Sequence, residues 1–232
     1  GTAPTVTISS TASSPTHITP ITITVTFDES VTGFEASDII VGNGIGGTLL
    51  ESSRTSLSFD GVDDYVEAGS NIDLTNSAFS IEVWYKSPPI TTIGGQVTII
   101  DNYGTSTSSS ANSWNLHLQG INSSFSEGTV VFWHSSVNVQ SISRIDDNNW
   151  HHIAVERYDD GTLKLFIDGV LNDTQALALS SEIYTGYNLF IGSRHYNLFH
   201  ACTISEVIIS KQNTYNSSFT PPSSFTANAN TV

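Results

Sequence analysis

The chain has 232 residues, of which only 12% are charged, and its 22 Asp plus Glu against 7 Lys plus Arg give a formal charge of −15. Phosphate backbones and anionic lipid surfaces are held by clustered Lys and Arg, so this balance excludes nucleic acid as a partner, and no apolar stretch is long enough to insert into a membrane as a helix. The lone cysteine, Cys202, excludes an intrachain disulfide and, at the end of the apolar run 199–202, reads as a small buried hydrophobe. The acidic surface fits solubility in a salty medium or binding of divalent cations. The absence of Met, even at position 1, points to an internal or processed segment.

Ser, Thr, Asn and Gly dominate and no stretch sustains a 3.6-residue apolar period, which predicts an all-β fold. Strands are expected at 5–9 and at 20–27, where Ile21, Ile23, Val25 and Phe27 share a face, with a third at 38–42. From Ser56 the pattern changes. Residues 57–59 and 65–66 flank Asp60-Gly61 and read as a hairpin at a domain start. Strand 80–86 ends at Pro88-Pro89, because proline cannot donate to a ladder, and 97–100 is apolar throughout, as suits a buried strand. A polar loop, 101–112, precedes strands at 114–119, 129–133 and 137–142.

The clearest local signal is NWHHIAVERYDDGTLKLFIDG at 149–169: two strands, 150–157 and 162–167, joined at Asp159-Asp160-Gly161. Asp-Gly between alternating runs predicts a primed turn. Trp150, His152, Ala154 and Glu156 fall on one face and His151, Ile153, Val155 and Arg157 on the other, while Leu163, Leu165 and Ile167 oppose Lys164, Phe166 and Asp168. Both faces carry apolar residues, as expected of a sheet packed on another and partly covered on its far side. Strands at 188–192 and 203–210 come next, then a Pro- and Ser-rich arm from residue 213 pinned by Phe219 and Phe225. Strands at this spacing predict a two-sheet jelly-roll sandwich.

The stretches PTVTISS, ITVTFDESVTGF and ASDIIVGNG, within residues 4–44, resemble the opening half of a bacterial immunoglobulin-like repeat, a spacer module of large surface proteins. Its second half is missing, and three strands bury too little to fold alone, so they are expected to pack on the C-terminal domain or be completed by another chain. The stretches SLSFDGVDDYVEAG, FSIEVWYKSP, NWHHIAVERYDDGTLKLFIDGVL, LFIGS and ISEVIISK, in that order, resemble the laminin G-like, concanavalin A-like lectin/glucanase superfamily. The likeness implies an antiparallel two-sheet jelly roll over 51–232, preceded by an immunoglobulin-like segment at 1–50. The ending, SEVIISKQNTYNSSFTPPSSF, is similar to modules of phage tail and virion surface proteins.

Catalysis finds no support. Glycoside hydrolysis needs two carboxylates flanking the bond, and the Glu-x-Asp-x-x-Glu strand of the glucanase branch is absent, with Glu82 and Glu206 isolated among apolar neighbours. No Ser lies in a nucleophile-elbow sequence. His151 and His152 point to opposite faces of a strand, cannot share one ion, and read as structural. Calcium takes six to eight oxygens, usually from loops, and Asp101-Asn102 is similar to the pair that starts the calcium site of the pentraxin branch. Where that branch supplies acidic residues, this chain has Arg194-His195-Tyr196-Asn197, with Asn197 the good oxygen donor. Asp63 and Asp64 form a second, more structural candidate ion site, and turn or cap roles are the alternative at both places.

Glycan sites combine an aromatic platform with polar side chains. Asp101, Asn102, Tyr103 and Trp114 would form one with Arg194, His195, Tyr196 and Asn197 if the loops meet at one edge, as the family topology implies; the alternative places Trp114 in the core. Asn122, Asn172 and Asn216 fit the glycosylation sequon. The expectation is a non-enzymatic extracellular, cell-surface or virion-surface module that recognises a glycan or cell-surface receptor, with or without calcium. The other reading is a structural or assembly domain of a phage tail fibre or large bacterial surface protein, forming a homo-oligomer or completed by a neighbouring chain.

Overall fold

Short runs in which β-branched and aromatic residues alternate with polar ones fold as strands among the described residues. The computed structural model describes residues 5–10, 23–27, 56–70, 72–102, 112–121, 126–135, 137–181, 183, 186–194 and 198–232. The chain divides into two compact units, Gly1–Ser52 and Ser53–Val232. In the first, β1 (Val6–Ser9) and β2 (Thr24–Phe27) pair antiparallel with Val6 opposite Phe27. The strand expected at 38–42 lies outside the described residues.

The second unit is a sandwich of two six-stranded sheets. Its strands are β3 (Ser56–Asp60), β4 (Val66–Ala68), β5 (Phe79–Lys86), β6 (Gln96–Asp101), β7 (Trp114–Gln119), β8 (Thr129–His134), β9 (Val137–Arg144), β10 (His151–Arg157), β11 (Thr162–Ile167), β12 (Val170–Ala176), β13 (Leu189–Ile191) and β14 (Ala201–Ser210). The first sheet has the order β12-β11-β10-β5-β14-β3 and the second β4-β13-β6-β7-β8-β9, with every neighbouring pair antiparallel. This is the antiparallel two-sheet jelly-roll sandwich that the alternation predicts. Ile81, Val83 and Tyr85 of β5, Ile153 and Val155 of β10, and Leu163 and Leu165 of β11 face Leu116, Leu118, Val130 and Phe132 across the core. Cys202 is buried there as a free thiol, its pKa pushed up to about 12 by burial.

Three local features differ from the sequence reading. The β10–β11 turn is not a primed two-residue turn: Gly161 N–H donates to Tyr158 O (2.9 Å), Tyr158 N–H donates to Thr162 O (2.8 Å), and within the turn only Gly161 has positive φ, +81°. That is a three-residue loop with a glycine bulge, another of the common hairpin closures. Residues 57–59 and 65–66 do not form a hairpin: β3 pairs with β14 in the first sheet and β4 with β13 in the second, so this turn crosses between sheets. Strand β12 is absent from the sequence reading because its residues, VLNDTQA, lie on a sheet edge and show no apolar alternation.

Arg157 sits wholly inside, without an acidic partner among the ion pairs of the described residues. Its guanidinium donates to the carbonyls of Ser77 (2.9 and 2.6 Å), Leu74 and Ala178 (3.3 Å) and lies 5.0 Å from the Phe79 ring centre. Burial lowers its pKa to about 10.

The outer face of the first sheet is covered by the arm, residues 211–225. Fully buried His152 is ringed by Trp84 (centroids 5.2 Å apart), Tyr215 (6.5 Å), Phe219 (5.7 Å) and Phe225 (5.6 Å). Glu156 accepts the N–H groups of Thr214 (2.7 Å) and Tyr215 (3.0 Å), and Tyr215 Oη donates to Glu82 Oε2 (2.9 Å). Trp84 Nε1 donates to Pro222 O (3.2 Å) and Phe219 N–H to Gly169 O (2.9 Å). The pinning by Phe219 and Phe225 is as the sequence implied. The backbone of the arm passes so close to Gly169, φ +75°, that a Cβ there would lie 1.9 Å from Phe219 O. Gly169→Ala must therefore lift the arm as well as strain the backbone. It is expected to cost more than about 1 kcal/mol, to lower the melting temperature by a few degrees, and to speed protease cleavage within residues 211–225.

Candidate functional site

With the outer side of β5, β10 and β11 covered by the arm, the outer face of the second sheet is where polar side chains gather. Alternation along β7 sends Trp114, Leu116 and Leu118 into the core and Asn115, His117 and Gln119 outward. Strand pairing then aligns two rows across the sheet: Asp101, Asn115, Trp133 and Asn138 in one, Thr98, His117, Val131 and Gln140 in the next. Asn115, His117 and Gln119 are buried, whereas Gln96, Trp133, Asn138, Gln140 and Arg194 are half-buried.

The buried members form one hydrogen-bonded chain. His117 Nδ1 lies 2.8 Å from Asn115 Oδ1, an acceptor, so the imidazole carries its proton there, and Gln119 Nε2 donates to His117 Nε2 (3.0 Å). Gln96 Oε1 accepts from Arg194 Nη1 (3.1 Å) and, more weakly, from Asn115 Nδ2 (3.5 Å). Burial, and secondarily the Arg194 charge, drop the His117 pKa to about 3, so the ring is neutral. At the end of the row the Arg194 guanidinium faces the buried Asp101 carboxylate at 3.9 Å.

The structure brings together only part of the residue set expected from sequence. Asp101 and Arg194 meet, as the edge-loop reading required. Trp114 does not join them: it is 0% exposed and packs on Phe132 (centroids 5.9 Å apart), so it is a core residue with no face for a ligand. Asn102 is buried too, its amide donating to Tyr187 O (3.0 Å). Tyr103, His195, Tyr196 and Asn197 lie outside the described residues. The aromatic residue that does reach this face is Trp133. It is legible as the outward neighbour of core Phe132 in TVVFWH, and WNLHLQ likewise displays Asn115, His117 and Gln119 at every second position.

Calcium fits the two expected places differently. At Asp101-Asn102 the Arg194 guanidinium stands 3.9 Å from the carboxylate, a competing cation that disfavours a divalent ion there. Asp63 and Asp64 converge with Asp60, one carboxylate oxygen from each lying within 4.8 Å of the others, a donor chemistry suited to a hard divalent cation. Two oxygens there already serve the turn: Asp64 Oδ2 accepts Asp60 N–H and Asp60 Oδ1 accepts Val62 N–H, both at 2.8 Å.

The paired histidines are structural. His151 is clasped by Asp168 (Nδ1 to Oδ2, 2.7 Å) and Asp147 (Nε2 to Oδ1, 3.1 Å), and its pKa is raised, chiefly through the Asp168 bond. His152 Nε2 lies 3.3 Å from Glu82 Oε2 but off the line of a hydrogen bond. Glu82 and Glu156 share this face, and each is engaged under the arm.

The protonation state of His117 gives a stability signature. Its folded pKa lies below the unfolded value near 6.5, so its contribution is complete above that value and is lost as pH falls toward about 3. His200, lowered by burial to about 4, acts in the same direction. His117→Gln keeps an amide in the chain and cannot take up the proton. Thermal melts between pH 7 and 4.5 are expected to show a shallower acid decline for this variant than for the unsubstituted chain.

Residues 60–222 match the model of the concanavalin A-like lectin/glucanase superfamily, and the chain belongs to that superfamily. Residues 1–79 match a bacterial immunoglobulin-like domain, so the two likenesses overlap at 60–79. No curated protein sequence matches the chain. Among solved structures it is similar to the receptor-binding domain of botulinum neurotoxin mosaic serotype C/D, with TM-score 0.52 and 15% identity over 69% of this chain and 40% of that one. The botulinum neurotoxin serotype D binding domain gives TM-score 0.51 at 15% identity over 69% and 40%. A second structure of the neurotoxin D receptor-binding domain gives 0.51 at 13% over 72% and 44%. The chain thus spans less than half of these relatives, and the likeness is one of fold.

Proposed function

We propose that this chain is a non-catalytic recognition module that binds a glycan on the outer face of its second sheet. The observation that carries the reading is the row Asp101, Asn115, Trp133 and Asn138, in which a half-buried indole stands between amides, with Arg194 at the Asp101 end. An indole can stack on the apolar face of a sugar ring while half-buried polar groups beside it, such as the Asn138 amide, bond its hydroxyls, with buried Asn115 supporting them. The chain Asn115–His117–Gln119 holds these groups from beneath and so reduces the ordering needed on binding. Arg194 and Asp101 offset each other's charge and the remaining groups are uncharged. With a chain charge of −15, this favours neutral over acidic glycans.

A non-enzymatic role is supported by the carboxylates. Glu82 and Glu156 are sealed beneath the arm and occupied by Tyr215 and by backbone N–H groups. Asp101 faces a guanidinium and is placed neither as an acid nor as a base. In this reading the immunoglobulin-like segment is a spacer and the module works outside the cell, on a cell or virion surface, with a glycan-bearing receptor as partner. Calcium enters at Asp60, Asp63 and Asp64 as a structural ion; there, adding calcium after chelation is expected to raise the melting temperature while leaving glycan affinity unchanged.

A glycan array followed by titration calorimetry tests the reading. Trp133→Ala is expected to weaken binding at least about tenfold, the equivalent of about 1.4 kcal/mol, with little change in melting temperature. Trp114→Ala is expected instead to destabilise the fold by roughly 3–5 kcal/mol. Absence of binding to every neutral glycan on the array, or full affinity in Trp133→Ala, rejects the site.

A further inference from the structure

Strand β3 is the last strand of the first sheet, bonded to β14 on one side only, and β4 is the last strand of the second. Between these two edges the sandwich stays open among the described residues. Leu57, Phe59, Val66, Ile191, Ile204 and Val207 line a cleft of about 240 Å³ that runs into the core. Leu57 at its mouth is 57% exposed, an unusual place for a large aliphatic side chain on a bare edge. The N–H of Asp60 is turned away from β14, since it donates to Asp64 Oδ2. By the two-residue period of a strand, Ser56 and Ser58 direct their backbone groups outward as well, and both residues are exposed.

The β9 edge is handled differently. On β9 the outward N–H groups of Gln140 and Ile142 are taken by the side chains of Asp173 (3.0 Å) and Asn172 (2.9 Å). Those side chains come from β12, the opposite edge strand of the other sheet, so that side of the sandwich is closed. Along β3 the described residues supply no such cap beyond Asp64, and the strand holds no lysine and no proline. The end of β3 is acidic instead: Asp60, Asp63 and Asp64 converge, and among the described residues no lysine or arginine pairs with them.

We propose that the β3 edge is a docking site for an extended segment of a partner protein, which adds as a strand beside Ser56–Asp60, places an aliphatic side chain in the cleft and brings a lysine or arginine to Asp60, Asp63 and Asp64. The unpaired backbone supplies the hydrogen bonds and the cleft selects a side chain, the two ingredients of strand addition. The acidic cluster sets the sign of the partner's charge. Leu57 and Asp60 are three residues apart, about 10 Å along a strand, so the aliphatic and basic residues of the partner are spaced similarly. This site is separate from the glycan row and stands or falls without it, but it shares its carboxylates with the proposed calcium ion, so calcium and the partner's basic group compete there.

The probe is a fluorescein-labelled peptide of alternating Thr and Val carrying one Leu and, three residues away, one Lys, titrated with the full chain in EGTA so that the carboxylates hold no divalent ion. Its control carries Glu in place of Lys. Anisotropy is expected to show the Lys peptide binding at least about tenfold more tightly than the Glu peptide, with the difference shrinking at high salt. Ser58→Pro removes one outward N–H without touching the ladder to β14 and is expected to weaken the Lys peptide by about tenfold or more. Should that variant melt at a lower temperature, Leu57→Thr, at an exposed position, gives the same reading. Equal affinity for the two peptides, no binding of either, or full affinity in both variants overturns the proposal. Self-association in light scattering that Ser58→Pro abolishes would assign the edge to a second copy of this chain and likewise overturn it.

Discussion

Glu156 accepts the backbone N–H groups of Thr214 and Tyr215, and through these bonds the C-terminal arm is held across the outer face of the first sheet. That face needs a cover. Trp84, Phe166 and His152 point away from the core, and Phe219 and Phe225 seat against the His152 and Phe166 rings, so the apolar area they bury outweighs the loss of water from the imidazole nitrogens. Burial raises the pKa of Glu156, yet the carboxylate is met by two N–H donors and by the Tyr158 hydroxyl at 2.9 Å, so its desolvation is offset by well-placed hydrogen bonds. Because the arm covers this face, the outward polar positions that the proposed recognition would use lie on the other sheet.

The two sheets therefore use one device, side-chain alternation, to opposite ends. In the first sheet the outward positions of β5 and β10 bind a segment of the same chain. In the second, the outward positions of β7 form a buried polar chain, Asn115–His117–Gln119, whose members bond one another. The histidines show the contrast. His117 sits in a chain in which each ring nitrogen has a complementary amide atom, whereas neither ring nitrogen of His152 forms a hydrogen bond among the described residues. A polar chain satisfied in this way fixes side-chain positions, and fixed positions are what a recognition surface requires.

Much of the architecture was legible in the sequence because alternation with a period of two survives wherever a strand has one buried face. Strands β7 and β11 begin and end where the pattern does, and the opposed faces of β10 come directly from HHIAVER. Legibility failed where position in the sheet, and not composition, decides the outcome. VLNDTQA became a strand because β11 needed an edge partner, and the stretch around Asp60-Gly61 became a crossover because Phe59 and Val66 serve different sheets. At the candidate site Asp101 and Arg194 could be named through the family resemblance, which implied that their loops meet at one edge. Trp114 and Trp133 could not be told apart by residue type; parity separates them, since Trp114 shares its face with Leu116 and Leu118 and Trp133 faces opposite to Phe132.

The same parity explains why the edges of the sandwich differ. Where β9 and β12 approach one another, Asn172 and Asp173 satisfy the outward backbone of β9, and the interior is shut. Where β3 and β4 approach, the turn that joins them spends its carboxylates on its own N–H groups, Asp64 on Asp60 and Asp60 on Val62, and little is left to cap the rest of β3. Ser56 and Ser58 then meet solvent, their outward backbone unpaired among the described residues, beside an apolar cleft. A crossover at this position, rather than the hairpin implied by Asp60-Gly61, separates β3 from β4, so that among the described residues each ends its own sheet. The feature that defeated local reading of the sequence is thus the one that creates the unpaired edge.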